Sequence, residues 1–86
     1  MIKMAEEKSI GKIFSYYANI GVAAIDLVGD LKVGDTIHIK GNTTDFKQKV
    51  DSIQIEHEKV ISAKKGDSVG IKVKDRVRPN DIVYKV

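Results

Sequence analysis

The chain has 86 residues, room for one domain with a thin core. Its 15 basic and 12 acidic residues leave a net charge of +3, which suits RNA or acidic partners and is too mild to argue for either alone. The absence of cysteine excludes disulfides and cysteine-ligated zinc, and the longest apolar-leaning run, IGVAAIDLVG, is too short to cross a bilayer.

The opening MIKMAEEKS lacks the apolar segment and cleavage site of a signal peptide. Residues 1–8 read as a flexible lead-in and 9–86 as a single domain; a cytoplasmic, non-membrane location is expected. From Ser9 the stretch SIGKIFSYYANIGVAAIDL is rich in β-branched and aromatic residues without a helical period. Two strands are expected, near 9–17 and 20–28. On the first, simple alternation puts Phe14 and Tyr16 on one face and Ile13 and Tyr17 on the other.

GDLKVGD follows as a connector with two Gly-Asp turn signals, and Leu31 and Val33 are expected to tuck under the end of the fold. TIHIKG alternates with Ile37 and Ile39 inward and His38 and Lys40 outward. In FKQKVDSIQIEH the apolar phase slips: Phe46 and Val50 have one parity, Ile53 and Ile55 the other. A bulge or corner near Asp51-Ser52 accounts for that. EKVISAKKGD reads as a loop plugged by Val60 and Ile61, and SVGIKVK as a strand with Val69, Ile71 and Val73 inward. DRVRPND is a turn, and IVYKV ends the chain with Ile82, Tyr84 and Val86 sharing a face. About six short strands joined by Gly/Asp/Asn turns predict an all-β barrel or sandwich. No internal repeat stands out.

KKGDSVGIKV invites comparison with a phosphate-binding loop, but its lysines precede the glycine and a strand follows where a helix would be needed. It reads as a turn, with Gly66 supplying the backbone geometry and Asp67 a local hydrogen bond. Gly70 within the next strand signals a bulge or a close approach.

GDLKVGDTIHI and SIQIEHEKVISAKKGDSVGIKVKD resemble the second domain of the translation GTPases, the elongation factor Tu type, in the order and spacing of their motifs. The resemblance covers residues 10 to 86. It implies a six-stranded closed β-barrel of the translation-factor domain 2 type, standing alone without a GTPase domain and therefore without GTP. The family's pocket for the aminoacylated tRNA end would fall at Gln54, His57 and Ser68. Gln54 stands where a glutamate reads the terminal adenosine, and Ser68 where an asparagine lies beside the aminoacyl group, so both depart from the tRNA-carrying pattern. The ending VRPNDIVYKV is also similar to barrels appended to the C-terminus of some collagenase-like peptidases.

Alternation places Lys47 and Lys49 outward on one strand and Lys72 and Lys74 outward on another, with Arg76 and Arg78 in the same parity and Lys64 and Lys65 in the loop between. If those strands are neighbours, the eight form a stripe able to track phosphates; the plainer alternative is that they keep exposed strand faces soluble. No nucleophile–base pair and no metal-ligand cluster can be read from two histidines and five serines. The expectation is a non-enzymatic translation-factor-like module, without cofactor or metal, whose partner is RNA or the ribosome. The alternative is a protein-interaction module for a peptidase-like or other protein partner.

Overall fold

The computed structural model describes residues 8–56 and 58–86. All its regular elements are strands: β1 (Lys8–Tyr17), β2 (Val22–Leu27), β3 (Leu31–Lys32), β4 (Thr36–Lys40), β5 (Asp45–Lys49), β6 (Ile53–Ile55), β7 (Glu58–Val60), β8 (Ser62–Ala63), β9 (Ser68–Lys72) and β10 (Ile82–Lys85). Of the expected lead-in, residues 1–7 lie outside the described part and Lys8 opens β1. Eight strands form one antiparallel sheet in the order β5-β4-β10-β1-β2-β9-β6-β7, and β3 pairs with β8 separately. The fold is all-β. The backbone ladders leave β5 and β7 as edges and do not join them.

β-Branched aliphatic residues dominate the interior, as suits pleated strands. Ile10, Ile13, Ile25, Ile37, Ile39, Ile53 and Ile71 are fully buried, with Val50, Val77 and Val83. Each such side chain contributes roughly 1.5–3 kcal/mol by leaving water. No aromatic ring is among the fully buried side chains; Tyr16 and Phe46 pack at the margin of the core.

Three loops share one construction. In Lys32–Asp35, Lys64–Asp67 and Arg78–Asp81 the first N–H donates to the aspartate Oδ2 three residues on, at 3.0, 3.1 and 2.9 Å. Each aspartate N–H donates back to the first carbonyl, at 3.1, 3.0 and 3.1 Å. The third residue is left-handed every time: Gly34 at φ 98°, Gly66 at 95° and Asn80 at 78°. This is type II turn geometry, which favours glycine or asparagine there and proline one place earlier, where Pro79 stands. KKGD is therefore a turn, and it belongs to a threefold motif hidden by the variation between KVGD, KKGD and RPND. The three turns lead into β4, β9 and β10.

Several expectations need correction. EKVISAKKGD carries β7 and β8, and Ile61 is 81% exposed, so it plugs nothing. Its carbonyl is held by the Val33 N–H at 2.9 Å. Leu31 tucks in while Val33 stays exposed. The last strand keeps the expected alternation, with Ile82 and Tyr84 half-buried on one face and Val83 between them entering the core. The phase slip between Val50 and Ile53 is real, since both are buried on either side of the break between β5 and β6.

Asp81 is buried, and one of its oxygens sits where a Cβ on Gly41 would go; that Cβ would also lie 2.6 Å from its Cγ. Rotating the carboxylate away would break the turn that starts β10. Gly41→Ala is expected to cost about 1–3 kcal/mol in urea unfolding. In an Asp81→Ala background the same change should cost less by at least ~1 kcal/mol; strictly additive effects would show that this contact is not the cause.

Candidate functional site

A bulge in β1 decides which side chains reach the surface. The β1–β2 register shifts between Ile13 and Ser15, so Ile13 points inward, Phe14 outward, Tyr16 inward again and Tyr17 outward. Phe14 and Tyr17, expected on opposite faces, are both about half exposed, at 49% and 48%, and Ile20 is 56% exposed. They line a shallow groove of about 260 Å³ with Val22, Gln54, Glu56, Ser68 and Gly70. That is smaller than the about 300–1,000 Å³ of small-molecule pockets; it has room for one or two side chains of a larger partner.

β6 and β7 pair down to Ile55 and Glu58, so Glu56 stands where the chain reverses, a tight connection of the kind that demands positive φ. Glu56 adopts φ 50°, a left-handed conformation that costs a non-glycine residue of order 1 kcal/mol or more. This strained glutamate stands at the lip of the groove. In the lining, the Ser68 hydroxyl donates to Asp26 Oδ1 at 2.8 Å. Gly70 is a close-approach position, since a Cβ there would lie 3.2 Å from Val22 Cγ1.

Gln54 and Ser68, two of the three expected pocket positions, do line this groove together; His57 lies outside the described residues. The eight basic residues are divided. Lys49, Lys72 and Lys74 border a hollow of about 490 Å³ beside Gln48 and Asp51. Arg76 and Arg78 border another of about 600 Å³ with Tyr16 and Pro79, flanking the buried Val77. Lys64 lines a hollow of about 670 Å³ with Lys32, Lys85, Asp30 and Asp67. Lys65 is exposed in its turn, and Lys47 is exposed on β5 opposite His38. β5 and β9 are not ladder neighbours, yet Lys49 still meets Lys72 and Lys74 at one hollow, while Arg76 with Arg78 and Lys64 border two others. The Lys64 hollow holds charges of both signs, with Lys85 3.4 Å from Asp35 and Asp67 engaged in its turn.

What joins β5 to the end of β9 is a side chain. The Gln48 Nε2 donates to the Lys72 carbonyl and its Oε1 accepts from the Lys74 N–H, both at 2.9 Å. The amide thus makes the pair of bonds that a neighbouring strand would. No group of three or more metal-ligating residues occurs among the described residues, and no helix there is long and apolar enough to cross a membrane.

The comparisons with known proteins overturn the translation-factor resemblance and the RNA-binding role and elongation-factor character that came with it. No protein-family profile matches the chain. It is 47% identical over 76 residues to an uncharacterized protease of Methanocaldococcus jannaschii, and 41% identical over 78 residues to a collagenase of Porphyromonas gingivalis. Those matches take in 87% and 88% of this chain and 19% and 22% of the relatives, so the chain spans about a fifth of the curated relatives it matches. Two solved structures of the C-terminal domain of a Geobacillus thermoleovorans protein assigned to the U32 peptidases superpose with TM-scores of 0.87 and 0.85, both at 22% identity. They cover 91% and 100% of this chain and 99% of their own. The likeness at that identity is one of fold. Motifs such as Gly-Asp-x-Val-Gly encode a turn and the strand after it, which any all-β fold with such turns can use, so they carry architecture without its task.

Asp45, on β5, accepts a hydrogen bond from His38 on β4, and this chiefly holds its carboxyl below the usual 3.8, helped by Lys40 and Lys47. A depressed carboxylate stabilises the fold above its unfolded pKa and stops doing so as pH falls through the lower folded value. Asp45→Asn should therefore lower the melting temperature at pH 5–6, and the gap to wild type should narrow below about pH 4. A gap that is the same at pH 2.5 and pH 6 would contradict this.

Proposed function

We propose that this chain is a non-catalytic protein-interaction module of the U32-peptidase type, which holds polypeptide for a catalytic body elsewhere. The observation that carries the reading is the 47% identity over 76 residues to a segment that makes up 19% of a protease. A segment of that size, matching a fold that stands as a separate C-terminal domain in another peptidase structure, fits an appended module. The groove of Phe14, Tyr17 and Ile20 supports it: exposed aromatic and aliphatic side chains at the end of β1 and in the turn after it are of the kind protein-recognition surfaces use. We also infer that the module works as a closed six-stranded barrel, with the Gln48 amide standing in for the missing ladder at its seam.

A chimera tests the reading. In the Porphyromonas gingivalis collagenase the matching segment is replaced by this chain, and gelatin hydrolysis is compared with hydrolysis of a short fluorogenic peptide. The chimera should retain both activities. Adding Phe14→Ser and Tyr17→Ser should raise KM for gelatin about tenfold, the weight of a small binding hot spot, while kcat and short-peptide turnover stay unchanged. Gelatin kinetics indifferent to the double substitution would overturn the proposal.

A further inference from the structure

The groove differs in charge from the rest of the molecule. Among the described residues no lysine or arginine lines this groove, where the acidic residue is Glu56; the nearest cations in the ladders are Lys59, opposite Gln54, and Lys72, opposite Val22. Glu56 is exposed and held by a strained backbone at the lip. Two turns of the fold were needed to build the place: a bulge that brings Phe14 and Tyr17 to one side, and a left-handed hairpin residue that sets a carboxylate beside them. Bulges and strained residues of this kind gather where a surface is shaped for binding.

We propose that the groove takes an extended segment of a polypeptide substrate, with a leucine or phenylalanine side chain between Phe14 and Tyr17 and a neighbouring lysine or arginine paired with Glu56. This rests on the reading of the groove as the polypeptide contact and adds the chemistry it selects. The apolar anchor gains by leaving water against the two rings and Ile20. The cation adds a surface ion pair, modest in strength, that acts chiefly as a selector. In the lining, the exposed Ser68 hydroxyl is oriented by its bond to Asp26 and keeps lone pairs able to accept from a peptide N–H. The Gln54 amide beside it supplies both a donor and an acceptor. A segment lying in an extended conformation presents its backbone groups to such a lining without having to unfold.

The test uses the chain as it is, with fluorescein-labelled decapeptides that carry a central Leu-Lys, Leu-Gln or Leu-Glu, read by fluorescence anisotropy at low salt. The Leu-Lys peptide should bind about three- to fivefold tighter than Leu-Gln, the size of an exposed ion pair, with Leu-Glu weakest. Glu56→Gln should erase the difference between Leu-Lys and Leu-Gln and leave Leu-Gln binding unchanged, whereas Phe14→Ser should weaken all three about tenfold. Circular dichroism and thermal melting establish that each variant is folded. Binding that ignores peptide charge, or a preference that survives Glu56→Gln, overturns this inference and leaves the module reading standing. Charge-selective peptide binding combined with a chimera indifferent to Phe14 and Tyr17 would instead remove the peptidase reading and keep the groove. If no peptide binds and the chain dimerises through Phe14 in light scattering, the face is a contact between copies and the inference fails.

Discussion

An aspartate carboxylate that takes the N–H of the residue three places before it, used three times, is the interaction on which this fold depends. Each instance closes a turn, and each turn launches a strand: β4, β9 and β10 begin where Asp35, Asp67 and Asp81 end their loops. All three strands are internal to the large sheet: β4 between β5 and β10, β10 between β4 and β1, and β9 between β2 and β6. Misplacing any of them would shift the register of its neighbours, and a one-residue slip turns every inward side chain outward. The third instance is also the most enclosed, because Asp81 is buried against Gly41. A small domain with a thin core has little else to set its strand order.

With the turns in place, the core fills with isoleucine and valine, and the aromatic residues are left for the margin and the outside. That division of labour gives the surface its character. Compact branched side chains fill a narrow interior at high density, while the rings of Phe14 and Tyr17 are displaced by the β1 bulge to a shallow, acidic-lipped groove. The cations that border hollows group as Lys49 with Lys72 and Lys74, Arg76 with Arg78, and Lys64 with Lys32 and Lys85. A mildly basic protein thus carries an exposed apolar patch whose lining holds one carboxylate and, among the described residues, no cation.

Much of the fold was legible because alternation is a strong signal where one face of a strand is buried. Ile37 and Ile39, and Val69, Ile71 and Val73, went inward as their spacing implies. The slip between Val50 and Ile53 was legible for the same reason. The bulge at Phe14 was not, because Ile13, Phe14, Tyr16 and Tyr17 are all apolar enough to be buried, so parity alone could not say where it broke. A clue lay in that excess: four consecutive-face candidates cannot all enter one narrow interior. The three turns escaped notice as a repeat because only their aspartate is constant, while hydrogen bonds and a positive φ make them equivalent. Short strands such as β3, β7 and β8 have two or three residues each, too few to show a period. As for the site, Gln54 and Ser68 were placed together by resemblance, while Glu56 could not be singled out, since nothing in its type signals a left-handed backbone. The functional inference drawn from the same resemblance failed because turn and strand motifs report shape, and one all-β shape serves proteins that bind different partners.

The most direct test is a ¹H–¹⁵N titration of the isotopically labelled chain with a U32-type peptidase substrate, such as a gelatin fragment. The account predicts that amide shifts concentrate at residues 13–22, 54–56 and 68–70, around Phe14, Tyr17, Ile20 and Gly70. Shifts confined to Lys49, Lys72 and Lys74 at the Gln48 seam, with the aromatic groove unmoved, would contradict it.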